Sequence, residues 1–296
     1  MQTWLWLAVG AQFLYAISTL VDKHIVTRTQ HIGKPIVYAF YVSLLSGFVI
    51  VLLPTGLVFV PSEHVLIHAL LNAAAFVCAI FFLYSALQSA RASDVAPVVG
   101  AVSAITAVIL ARFGIVGEAG ISLIPIVLLT GGTAIISHFH FTKHALQSAL
   151  ISGVAFGAAA FFAKLVFIDT TFINGFFWTR MMNVLLALSL LFIPILRGAI
   201  FHGGAKSSSS SRGLVLGNKT LGGFAAALTA YALSLGPVSA VNALGGLQFV
   251  FLFFFSFVFA RQMRIYDGEK KGSHGGWHSA LGVTLIALGL AGLYLA

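Results

Sequence analysis

The stretch YALSLGPVSAVNALGG, Tyr231 to Gly246, is apolar almost throughout, carries no charge and breaks once at Gly236-Pro237. It reads as the end of one helix, a tight link and the start of a second, because proline lacks an amide donor and disfavours helix in the residue before it. The chain writes a similar phrase about half its length earlier: SALQSARASDVAPVVG, Ser85 to Gly100. At an offset of 146 residues, Ala86, Leu87, Ser93, Val95 and Gly100 fall on Ala232, Leu233, Ser239, Val241 and Gly246. Weaker echoes keep the same order: GAQF (Gly10–Phe13) matches GVAF (Gly153–Phe156), and two corresponding apolar runs end in Pro54 and Pro194.

Composition says what solvent these helices meet. The chain of 296 residues is 59% hydrophobic and only 8% charged, against about 25% charged in soluble domains. Polar groups cannot cover a soluble surface at that composition, so lipid is the expected solvent. The net charge of +9 would suggest nucleic acid in a soluble chain. Here the basic residues sit mostly between apolar runs, so they are read as topology signals and no nucleic-acid partner is expected. The lone cysteine, Cys78, lies in an apolar run and reads as a small buried hydrophobe.

Ten apolar runs separate: 4–21, 35–53, 65–87, 95–111, 121–136, 145–165, 173–195, 217–235, 238–260 and 278–295. The first lacks the basic start and cleavage site of a signal peptide and reads as a span. They do not alternate polar and apolar as barrel strands do, and helices are the remaining way to satisfy the backbone in lipid. Very short links, near 88–94 and 236–237, force antiparallel neighbours. Phe201–Gly213 (FHGGAKSSSSSRG) reads as a flexible linker, and Arg261–His278 as a second polar loop.

The expected fold is therefore an all-α integral membrane protein: ten transmembrane helices in two repeats, residues 1–142 and 143–296, around a central cavity. Five spans carry the chain across the membrane, so the second repeat starts inverted, an arrangement found in transporters. Thirteen of the 16 Lys and Arg fall in odd-numbered loops, Arg112 alone in an even one, and Lys164 and Arg180 inside spans. The positive-inside rule puts the odd loops in the cytoplasm and both termini outside a multi-pass cell (inner) membrane protein.

The two five-helix halves, the AL…PVSAV…L phrase opening the ninth span and the Arg near the start of the seventh resemble the EamA-type branch of the drug/metabolite transporter superfamily. That resemblance covers nearly the whole chain. It implies a ten-helix basket with a central cavity and a secondary carrier, often an exporter, of amino acids, other metabolites or drugs by alternating access. It also implies cytoplasmic termini, against the charge count. The second span lacks the arginine often found in the family and offers Tyr38, Tyr41 and Ser43 instead.

Intramembrane charges are functional candidates by default, because a charge at mid-helix costs about 2.5–3.5 kcal/mol on insertion scales. Lys164 (FFAKLVFID) and Arg180 (FFWTRMMN) are the two. Each reads as an anchor for a carboxylate, phosphate or polar headgroup, or else as a partner of Asp169 across the short 168–172 link. Gln12, Tyr15, Tyr41, Asn183 and Asn242 add hydrogen-bonding candidates and Trp178 a stacking one; Asn72 and Gln248 are further polar groups of the spans. Each of these also reads as interhelical glue or packing. Asp94 fits a helix N-cap, and Asp22 and Lys23 fit the membrane rim.

His138, His140 and His144 lack the Cys, Asp or Glu that would complete a zinc shell, and no Walker or Ser-His-Asp order occurs. No metal, no cofactor and no enzymatic activity are expected. The expected partners are a small-molecule substrate and the lipid bilayer, with the chain a monomer or weak homodimer. The alternative reading is a flippase for a lipid or lipid-linked sugar on the same fold.

Overall fold

The computed structural model describes residues 3–28, 35–90, 92–114, 122–136, 142–202, 209–258 and 275–295. Every regular element among them is helical. In chain order they are α1 (Thr3–Arg28), α2 (Pro35–Leu45), α3 (Glu63–Leu87), α4 (Ala92–Gly114), α5 (Leu123–Ile136), α6 (Lys143–Asp169) and α7 (Phe172–Ser189). Then come α8 (Pro194–His202), α9 (Ser209–Leu235), α10 (Val238–Ala243), α11 (Leu247–Val258) and α12 (Gly275–Leu295). Stretches within α1, α3, α4, α6 and α7 are long and apolar enough to cross a membrane, and 39–55, 123–135, 238–252 and 281–295 are shorter apolar helices. The outer surface is apolar too: Phe113 is 91% and Phe192 88% exposed. Aromatic rings so exposed suit a lipid surround better than water. The fold is all-α and membrane-compatible.

The apolar runs locate the helices, but three details differ from the sequence reading. The second run leaves α-helix after Leu45 and continues as a 3-10 helix over Ser46–Thr55, with Pro54 inside it and Gly56 closing it at φ 71. Such tightened segments are usually three or four residues long. The seventh run likewise tightens into 3-10 at Leu190–Phe192 ahead of Pro194. Phe201–Gly213 is not a free linker along its length: α8 runs to His202 and α9 starts at Ser209. α4 begins at Ala92, so Asp94 sits inside its first turn and is not its N-cap. The cap that is seen is Thr142, whose hydroxyl accepts from the Ala145 amide at the start of α6.

The two repeated phrases are built alike. Ala90 N–H donates to Ala86 O at 3.0 Å where α3 ends, and Gly236 N–H donates to Ala232 O at 2.8 Å where α9 ends. These four residues are related by the same 146-residue offset as the phrases. The apolar pairs Ala86/Ala232 and Val95/Val241 are all buried. The Gly245-Gly246 pair falls in a 3-10 turn, Leu244–Gly246, between α10 and α11.

Packing uses small residues to bring backbones together, as lipid-embedded helices must, since apolar burial alone gives no preference between helix and tail. α6 lies along α3 and α4, α9 along α1, and α12 along α5; α4 also meets α10, α1 meets α11, and α7 meets α2 and α3. A Cβ on Gly132 would lie 2.7 Å from Gly282 O, and one on Gly289 2.8 Å from Pro125 O. The small faces of α5 and α12 are thus used against each other. Polar groups tie the same seams. Asn72 donates to Ala159 O (2.7 Å) and Ser152 to Ala79 O (2.8 Å) between α3 and α6. Gln248 donates to Thr19 Oγ1 (2.8 Å) between α11 and α1.

Candidate functional site

The seventh run places its functional side chains by helical period. Phe172, Phe176 and Arg180 recur every fourth residue, so they share one face of α7. The Arg180 guanidinium carbon lies 5.2 Å from the Phe176 ring centre and 6.0 Å from that of Phe76 on α3. Tyr15 of α1 is within electrostatic reach of it and lies near the Thr229 side chain of α9. Helices α1 and α3 thus approach one cation of α7. Arg180 and Tyr15 lie deep in the protein yet both keep accessible surface, as groups lining an internal cleft do.

Among the described residues no carboxylate and no hydrogen-bond acceptor pairs with Arg180. The expected ion pair with Asp169 is absent: Asp169 Oδ2 lies 3.9 Å from His68 Nδ1, at the start of α3. Arginine cannot shed its proton, and ring faces contribute about 0.5–2 kcal/mol to a cation. An anion or water must supply the rest of its solvation.

Arg180 is followed one turn later by Asn183, fully buried, with neither its amide oxygen nor its nitrogen partnered in the protein. Ser43 of α2 is equally buried and its hydroxyl equally orphaned. Their helices, α2 and α7, pack together: Phe40 packs with Ala187, and a Cβ on Gly47, in the 3-10 stretch, would stand 3.4 Å from Val184. An unpaired buried polar group costs about 1–3 kcal/mol, which is tolerable where a ligand or water completes it. Asn183→Leu, which removes the orphaned amide at similar volume, is expected to raise the unfolding temperature in detergent by a few degrees. A fall in unfolding temperature would mean that the amide holds the seam together.

Lys164, expected as a second anchor, serves a different end. Its ammonium donates to Leu233 O (2.9 Å), Ser234 O (3.4 Å) and Gly236 O (2.8 Å), the carbonyls left open where α9 stops. A cation at a helix C-terminus meets both the unpaired carbonyls and the negative end of the dipole. Lys164→Met is expected to destabilise by about 1–2 kcal/mol. The readout is a lowered unfolding temperature; an unchanged temperature would show that the three hydrogen bonds do not hold the end of α9.

The other candidates divide. Trp178 donates its indole N–H to Phe59 O at 2.9 Å, and Asn174 accepts from the Phe59 amide at 3.0 Å, so the two strap the 57–59 segment onto α7. Asn242 donates to Ser103 O (3.3 Å) and Oγ (3.1 Å) and joins α10 to α4. Gln12 is buried, whereas Tyr41 is 46% exposed and packs edge-on against Phe40. Cys78 is half-buried. The side chains of Asp22, Lys23, Tyr38 and Asp94, and residues His138 and His140, lie outside the described residues. Among the described residues no group of three metal-ligating side chains occurs.

The aromatic partners were not singled out from sequence: Phe76, Phe172, Phe176 and Tyr231 are four aromatics among the chain's 27 Phe and 7 Tyr. Only the four-residue spacing of Phe172, Phe176 and Arg180 carried a signal. Tyr231 and Phe172 (4.8 Å between centres) and Phe172 and Phe176 (5.6 Å) form a continuous run to Arg180. That run starts in an open cavity of about 480 Å³ lined by Gly56, Leu57, Phe59, Thr171, Phe172, Ile173 and Tyr231.

No family model matches this chain, and no curated protein matches it. A solved protein, known by its crystal structure, superposes with a TM-score of 0.68 at 15% identity, covering 99% of each chain. At that identity the likeness is one of fold.

Proposed function

We propose that this chain is a secondary transporter of the EamA-like, ten-helix kind, which moves small organic solutes across a cell membrane by alternating access. The observation that carries the reading is Arg180: a permanent cation deep between helices, accessible, and without a carboxylate among the described residues. A purely structural cation would be neutralised by the protein, whereas a carrier needs the charge for its cargo.

The packing supports an inverted repeat. If helices one to five exchange with six to ten, the α3–α6 contact becomes that of α9 with α1, and the α4–α6 contact becomes that of α11 with α1. The contacts α5–α12, α2–α7 and α4–α10 map onto themselves. The matched helix ends at Ala86 and Ala232 and the paired tightening of the second and seventh runs follow the same exchange. In such folds the cargo site lies between repeats near the midplane. Arg180 is eight residues into α7, about 12 Å along its axis, and is faced by α1 and α3 of the other half.

The open cavity beside Thr171 is on the even-loop side, which the charge count assigns to the outside. Alternating access would close it and open the Arg180 centre toward the odd-loop side, with the 3-10 segments and Gly245-Gly246 absorbing the bending. Solute counterflow in proteoliposomes tests this. Saturable exchange of an organic anion or zwitterion, dependent on the protein, is the expected result. Lipid translocation without solute exchange would replace the reading with that of a flippase.

A further inference from the structure

Taking the chain as the carrier proposed above, we infer that the Arg180 site takes a monocarboxylate borne on an aromatic, apolar body, in preference to a zwitterionic amino acid. Four observations converge on that class. First, among the described residues no acceptor takes any of the five N–H donors of Arg180. A carboxylate matches that planar fork with two parallel hydrogen bonds. Second, among the described residues the centre holds Arg180 as its cation and no paired carboxylate. It can neutralise one negative charge, but a ligand's ammonium would find only neutral acceptors such as Asn183 Oδ1 and the Tyr15 hydroxyl.

Third, the open cavity near this end of α7 has no charged residue among its described lining, and its Tyr231 and Phe172 rings continue through Phe176 to the guanidinium. Offset and edge contacts between rings favour flat apolar bodies along that path. Fourth, the Asn183 amide, on the same side of α7 one turn deeper and wholly buried, offers a donor and an acceptor that the protein leaves unused. It suits a carboxylate oxygen or a neutral hydroxyl. Asp169, a carboxylate near this end of α7, lies beside His68 and forms no ion pair with Arg180.

The test uses four probes on the full-length protein: 3-phenylpropanoate, L-phenylalanine, 3-phenylpropanamide and acetate. Binding is measured by titration calorimetry in detergent and exchange by counterflow in liposomes. The phenylpropanoate is expected to bind and exchange. Phenylalanine, which adds an ammonium, and the amide, which lacks the charge, are each expected to bind at least about tenfold more weakly, as for one lost charged contact. Acetate, without the ring, is expected to compete weakly. Arg180→Lys keeps the charge and loses the fork, so it should retain measurable but roughly tenfold weaker phenylpropanoate binding; Phe176→Leu should weaken the ring-bearing probes and leave acetate unchanged. Both variants are compared at matched unfolding temperature.

Phenylalanine binding as tightly as phenylpropanoate, or Arg180→Lys binding it like the wild type, overturns the inference and leaves the carrier reading standing. If none of the four probes binds, the inference falls, and the broader counterflow screen decides the carrier reading independently. If no solute of any class exchanges, the carrier reading falls with it.

Discussion

Arg180→Ala is expected to abolish saturable solute exchange and to leave a folded, monodisperse protein. The side chain would supply two charged hydrogen bonds to an anion, each contributing about 1.5–3 kcal/mol. Their loss corresponds to about a hundredfold or more in affinity. Stability should move little or rise, because the substitution removes a charge whose insertion costs about 2.5–3.5 kcal/mol and which no carboxylate among the described residues compensates. The opposing term is lost packing of the arginine stem between Phe76 and Phe176. Counterflow and thermal unfolding together separate the two roles. Wild-type exchange in the variant would remove Arg180 from the site. Lost exchange with a large drop in unfolding temperature would make it a structural cation.

The second large effect lies in the α4–α6 seam. A Cβ on Gly157 would stand 2.6 Å from Ser103 O and from Thr106 Cβ, and one on Gly153 2.6 Å from Val102 Cβ and 3.0 Å from Val99 O. A carbonyl oxygen inside a helix cannot rotate away, so α4 as a whole would have to retreat. Gly157→Ala is expected to destabilise by about 1–3 kcal/mol, as overpacking does, and Gly157→Leu to prevent recovery of a monodisperse protein. Gly10 is the control. Nothing lies within 4 Å of its Cβ position, so Gly10→Ala should stabilise by about 0.5–1 kcal/mol through helix propensity alone. Size-exclusion profiles and unfolding temperatures of the two alanine variants should therefore move in opposite directions. A Gly157→Ala variant as stable as the wild type would show that the two helices are not in backbone contact.

Gly10 and Gly153 stand at matched positions of the echo GAQF/GVAF, yet they sit in unlike surroundings. The contrast marks how far sequence reading reaches in this chain. Runs of apolar residues located the helices, since lipid leaves the backbone no other partner than itself. The repeated phrase located two helix ends that close through the same kind of hydrogen bond, at Ala86 and at Ala232. These are properties of local chain chemistry. The 3-10 stretch over Ser46–Thr55 was not legible, because its composition is that of any apolar helix. The helical start of α9 among serines was hidden for the converse reason: a serine run reads as linker until the helix it opens is packed against α1.

The site was half legible. Two lone cations in apolar runs mark themselves as exceptional, and Lys164 and Arg180 stand equal on that criterion. Tertiary structure separated them. Lys164 lies where α9 stops and meets three carbonyls, whereas Arg180 lies on the Phe172–Phe176 face, between the rings of α3 and α7. Which groups surround a charge depends on helices distant in the chain, and periodicity within one helix cannot report it. By itself the sequence determined a membrane-compatible composition, the helical class and the two cations that stand inside apolar runs. Only the assembled helices decided that one of those charges closes a helix end and the other stands between aromatic rings with no carboxylate partner among the described residues.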